Sequence, residues 1–80
     1  MEELQTGNKL IGFKQSVKAV ENGKAVKLFL AENADQQMKS TAEKCCANKG
    51  IPVQYVPTMS ELGKVCGINI GAAAAVILRD

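Results

Sequence analysis

There is no histidine in the chain's 80 residues, and that gap removes much of ordinary enzyme chemistry. Without an imidazole, Ser-His and Cys-His nucleophile pairs are excluded, and so are Cys/His zinc sites. Neither a G-x-G-x-x-G fingerprint nor a Walker A loop is present, so the usual phosphate cradles are missing too. The carboxylates Glu21, Glu32, Asp35, Glu43 and Glu61 are scattered without a paired arrangement. No catalytic residue, metal or cofactor is expected. Long apolar runs are also lacking: the longest, "GAAAAVIL", is far too short to span a bilayer. Met1 is followed by Glu2 and Glu3, with no basic region or apolar stretch of a secretory signal. Three cysteines make an odd set with no evident disulfide framework, so reduced thiols and a cytoplasmic location are expected.

What is there describes a small folded protein. Apolar residues make up 46% and charged residues 22%, a globular rather than a disordered composition. Residues 1–80 are expected to form a single domain with a modest core. The net charge of +2 is a weak argument for an anionic partner, so the placement of the lysines matters more.

The apolar period alternates between strand and helix along the chain. Residues 1–6 suit a short first helix, ended by Gly7 and Asn8. "KLIGF" is a brief strand, and "FKQSVKAVEN" turns helical, with Phe13, Val17 and Val20 at i, i+4 and i+7 facing the core. "AVKLFLA" reads as a buried strand. Asp35 caps a further helix, with Met38, Ala42 and Cys45 on its inner face and Gly50 as its stop. "IPVQYV" is strand-like. Thr58 through Glu61 fit a capping box for a helix carrying Leu62, Val65 and Cys66 inward and stopping at Gly67. "AAAAVIL" suits a last strand buried on both faces, its alanines admitting helices closely. The order implies a three-layer α/β/α sandwich around a small mixed sheet of about four strands.

Two segments carry chemistry beyond packing. In "IGFKQSVK", Lys14, Gln15 and Lys18 share the helix surface opposite Phe13 and Val17. They fall in the first turns, where free backbone N–H groups and the positive dipole end favour a phosphate. Lysine donates to guanine O6 and N7, and a carboxamide both donates and accepts at a base edge. The alternative is a merely solvated helix face. In "CGINIG", Ile68 and Ile70 sit in a loop, where apolar residues are unusual. Either both anchor the loop in the core, or one turns inward and the other is exposed to pack on unstacked bases. Cys45-Cys46 reads as a pair of small apolar fillers, weighed against a redox or metal role.

Taken together and in order, "GFKQSVKAVENGKA", "LAENAD", "IPVQYVPTMSELGKVCGI" and "INIGAAAAVIL" resemble the kink-turn RNA-binding family typified by archaeal ribosomal protein L7Ae, and especially its short bacterial paralogues. The resemblance implies an α/β/α sandwich that binds kink-turn RNA, of ribosomal or riboswitch type, without catalysis. The expected protein is a monomer with no affinity for DNA or membrane. Gly12 and Lys18 match the family's Gly-x-Asn-Glu-x-x-Lys pattern, while Lys14 and Gln15 replace its Asn and Glu. By the same resemblance Gln15 and Lys18 meet base edges, and Lys14 and Lys64 meet phosphates. Ile68, Asn69, Ile70 and Gly71 cover the bases of the bulge. The competing expectation is a protein-interaction module of the same fold that has lost RNA binding. A small nucleotide-binding enzyme shares the fold class but has none of the site chemistry.

Overall fold

The computed structural model describes Leu4 and residues 8–79. Strands and helices alternate as β1 (Lys9–Ile11), α1 (Phe13–Glu21), β2 (Ala25–Ala31), α2 (Gln36–Lys49), β3 (Val53–Val56), α3 (Met59–Cys66) and β4 (Ala74–Leu78). Leu4 is helical and fully buried. The rest of the expected first helix, residues 1–3 and 5–6, lies outside the described residues.

Local chemistry sets most of the boundaries. Asp35 Oδ2 accepts from the N–H groups of Gln37 at 3.0 Å and Met38 at 3.3 Å, starting α2 where the sequence places it. Thr58 Oγ1 accepts from the Glu61 N–H at 3.0 Å, the Thr58 half of the expected capping box. The three helices end before Asn22, Gly50 and Gly67 respectively.

The sheet order is β1-β4-β2-β3. β4 runs antiparallel to both β1 and β2, whereas β3 runs parallel to β2, so the sheet is mixed as expected. Its two faces bury separate apolar clusters. One gathers Phe29, Ala31, Val56, Leu62, Cys66 and Ala75 with Leu4, under α3. The other gathers Val20, Leu28, Leu30, Ala42, Cys46 and Val76, under α1 and α2. Neighbouring residues of β2 and β4 feed opposite clusters, as the two-residue period of a strand requires. This is the three-layer sandwich.

Three details differ from the sequence reading. First, β4 begins at Ala74, so Ala72 and Ala73 belong to the preceding loop. Second, β2 is not a plain strand. Ala25 pairs with Leu78 but Lys27 pairs with Ile77, so β2 advances two residues against one on β4. The resulting bulge leaves Val26 42% exposed and lets Ala25 and Leu28 reach the same cluster. Third, the inner face of α2 is Ala42 and Cys46, while Cys45 is half-buried and Met38 exposed. Burial pushes the Cys46 thiol up to about 11 and raises Cys45 and Cys66 as well. Thiols held protonated in this way are poor nucleophiles.

Ser16 is fully buried in α1, and its Oγ has no hydrogen-bond partner among the described residues. A small residue is needed where α1 lies against β4, but the hydroxyl costs about 1–3 kcal/mol of desolvation. Ser16→Ala keeps the size, removes the unsatisfied group and improves helix propensity. It should therefore stabilise the protein by about 1 kcal/mol or more, raising the melting temperature by about 4–8 °C per kcal/mol. Thermal melting followed by circular dichroism checks this, and a lowered midpoint would mean that the hydroxyl is bonded.

Candidate nucleic-acid interface

Strand direction decides where the helices begin. β1, β2 and β3 all run the same way, and each is followed by a helix. The N-termini of α1, α2 and α3 therefore gather at one end of the sheet, where β4 starts. Backbone hydrogen bonds stitch this end together. The Gly12 N–H donates to Ala74 O at 2.8 Å, Ala31 N–H to Ala73 O at 2.9 Å and Ala72 N–H to Met59 O at 3.0 Å. Two segments far apart in sequence, the start of α1 and the loop before β4, thus share one rim.

Each expected site residue can be placed on this frame. Gly12 has φ +119° and ψ 151°, a conformation essentially confined to glycine, and it turns β1 abruptly into α1. Lys14, Gln15 and Lys18 are all exposed, while Phe13 and Val17 pack against the α1/α2 cluster. The α2 N-terminus is capped by Asp35, and α3 by Thr58 and by Asn33, whose Oδ1 accepts from the Met59 N–H at 2.8 Å. The first residue of α1 follows Gly12, which supplies no side-chain cap. Among these three helices, the one carrying the candidate polar residues is the one whose N-cap offers no side-chain acceptor.

The loop resolves the choice between its two isoleucines. Ile68 is half-buried against the cluster under α3, whereas Ile70 is 74% exposed. Asn69 and Gly71 are exposed beside it. Lys64 is exposed but sits in the last turn of α3, five residues or about 8 Å along the helix from Met59.

Gly63 is a residue that the sequence reading passed over. A Cβ at this position would overlap the Ile70 carbonyl oxygen and lie 3.0 Å from its carbon and 3.2 Å from Gly71 Cα. Gly71 is also tightly placed, since a Cβ there would come within 3.2 Å of Met59 Cβ. The loop therefore lies directly on the α3 backbone, and the Ile68 N–H donates to Gly63 O at 3.0 Å. The available signal was a glycine in a helix interior, which costs about 1 kcal/mol against alanine and so marks a close approach. Asn33 also escaped notice, and its bond to the α3 N-terminus ties the β2–α2 connection to the same rim.

Residues 2–80 match the sequence model of the Ribosomal protein L7Ae/L30e/S12e/Gadd45 family. The chain belongs to that family. An RNA-binding protein of Caldanaerobacter subterraneus is 40% identical to it over 67 residues, which is 84% of this chain and 82% of the relative. An RNA-binding protein of Geobacillus kaustophilus is 41% identical over 76 residues, 95% of this chain and 93% of the relative. Among solved structures, the Giardia lamblia 15.5kD RNA binding protein superposes with a TM-score of 0.79 at 25% identity, covering 99% of this chain and 65% of that one. A Bacillus halodurans protein of unknown function superposes with a TM-score of 0.81 at 28% identity, covering 89% and 71%.

In this L7Ae-family chain the path of the loop should depend on Gly63 having no side chain. Gly63→Ala forces a methyl group against the Ile70 backbone, so overpacking of about 1–3 kcal/mol should outweigh the propensity gained. The melting temperature should fall, and amide NMR shifts should move at residues 68–73 more than in β2. An unchanged spectrum in that loop would show that the close approach is not a constraint.

Proposed function

We propose that this L7Ae-family protein is a small RNA-binding protein that recognises and stabilises kink-turns in ribosomal or regulatory RNA, acting as a cytoplasmic monomer without a cofactor or chemical step. The names of its relatives support RNA as the partner. The observation that supports the finer reading is the pairing, on one rim, of an uncapped polar helix start with an exposed isoleucine on a tightly packed loop.

An A-form major groove is too deep and narrow for side chains to read, so a helix gains access only where the duplex is distorted. A kink-turn provides that distortion together with unstacked bases. In this reading α1 enters the opened groove. Gly12 permits its sharp start, Gln15 and Lys18 meet base edges, and Lys14 meets phosphate beside the free N–H groups of the first turn. Ile70 lies on the bases of the bulge, with Asn69 and Gly71 at its sides and Ile68 anchoring the loop from within. Lys64 contacts a phosphate farther along α3.

Titration with a kink-turn RNA and with a version whose sheared guanine–adenine pairs are replaced by Watson–Crick pairs tests the reading. The replacement should close the groove and largely abolish binding. Equal affinities would reduce the protein to a basic surface driven by counterion release.

The loop supplies an independent check. Ile70→Ser should leave the melting temperature nearly unchanged, because the side chain is already in solvent. Lost stacking is worth about 1–3 kcal/mol per base, so affinity should drop about ten- to a hundredfold. Ile68→Ser should instead melt early. If Ile70→Ser melts early while its folded fraction binds normally, the loop is structural and the bulge contact is wrong.

A further inference from the structure

Two clefts flank α1, and their chemistry differs. The larger, of about 270 Å³, opens toward α2 and is lined by Phe13, Asp35, Gln37, Met38 and Thr41. Its charged group is the Asp35 carboxylate, already committed to capping α2. The other cleft, of about 170 Å³, lies toward edge strand β1 and is lined by Leu10, Gln15, Lys18, Ala19, Asn22 and Lys24. Among the described residues, the charged groups that line it, Lys18 and Lys24, are both cations.

We propose that this second cleft is a track for the RNA backbone, in which Lys24 and Asn22 extend the contact made by Gln15 and Lys18. The proposal rests on the RNA reading above and adds residues and a direction to it. Four features support it. Lys24 offers a point charge for phosphodiester oxygens next to the base-edge contacts of Gln15 and Lys18. The carboxamide of Asn22 can donate to a phosphate oxygen or pair with a ribose 2′-hydroxyl, which both donates and accepts. Leu10, 37% exposed, and buried Ala19 give an apolar floor against which a ribose can lie. Charge also favours this exit: among the described residues, the lining on the α2 side includes Asp35, whereas the charged lining toward β1 is Lys18 and Lys24.

The base of Lys24 is well fixed. Its N–H donates to Ala19 O at 2.9 Å, and its carbonyl accepts from the Arg79 N–H at 2.8 Å. From Gln15 to Asn22 is seven residues, or about 10 Å along α1. Lys24 therefore lies well beyond any base pair read at Gln15, and the contact there belongs to a helical stem rather than to the bulge.

Lys24→Gln and Lys24→Arg test this with three RNAs: a kink-turn with two full stems, and two versions each with one stem cut back to the pairs beside the bulge. Lys24 is exposed, so both variants should melt as the wild type does. On the full RNA, Lys24→Gln should bind about fivefold more weakly, with a salt slope lower by about one. Its preference for sheared over Watson–Crick pairs should be unaltered, and Lys24→Arg should bind normally. Cutting back one particular stem should weaken the wild type by a similar factor and erase the difference between it and Lys24→Gln. Unchanged affinity and slope for Lys24→Gln would overturn the proposal. So would a penalty that persists with either stem shortened, because the charge would then act at a distance. If the wild type binds RNA but ignores the sheared pairs, the groove reading of α1 fails, while the stem-dependent Lys24 penalty still reports on the cleft. If it binds no RNA, both fall.

Discussion

The direction of β4 governs this molecule. Because it runs against both β1 and β2, and β3 runs with β2, α1, α2 and α3 all enter from the same end of the sheet. No side chain at the rim produces that arrangement. It follows from pairing in the middle of the sheet, where alanines at Ala74 and Ala75 let layers close in from both sides. The carbonyls of Ala73 and Ala74 then accept from Ala31 and Gly12, which fastens the rim to the most buried part of the fold.

That fastening has an energetic meaning for binding. Ordering a loop on contact with a partner ordinarily costs conformational entropy. Here the loop is held by the Ile68–Gly63 and Ala72–Met59 hydrogen bonds and by its packing on Gly63, so most of that cost falls in folding. The start of α1 is arranged differently. There Gly12 supplies no side-chain acceptor to the first N–H groups of the helix.

Much of the layout was legible in the sequence because it is encoded locally. The period of Phe13, Val17 and Val20, the Asp35 and Thr58 caps and the alternation of elements each depend on neighbours within a turn or two. Family-level motifs brought the start of α1 and the loop before β4 to attention as a pair. What escaped was decided by distant contacts. The bulge at Val26 exists only relative to β4, and strand order is invisible from within any one strand. Along α2 the charged, polar and apolar residues are mixed around the helix, so the choice of Cys46 over Cys45 for the core turned on a 100° phase that packing alone could fix. The close approach at Gly63 is made by a loop that follows the helix, and the cleft at Lys24 has edge strand β1 as its second wall.

The contact between Gly63 and the Ile70 carbonyl joins main chain to main chain. It constrains where residue 70 is carried but not what that residue is. A different side chain at this position would be displayed at the same point above the same rim, with the loop path unchanged. Loop path and surface chemistry are thereby separable in inheritance. One glycine preserves the mounting, and substitutions at position 70 change what is displayed without asking the fold to change.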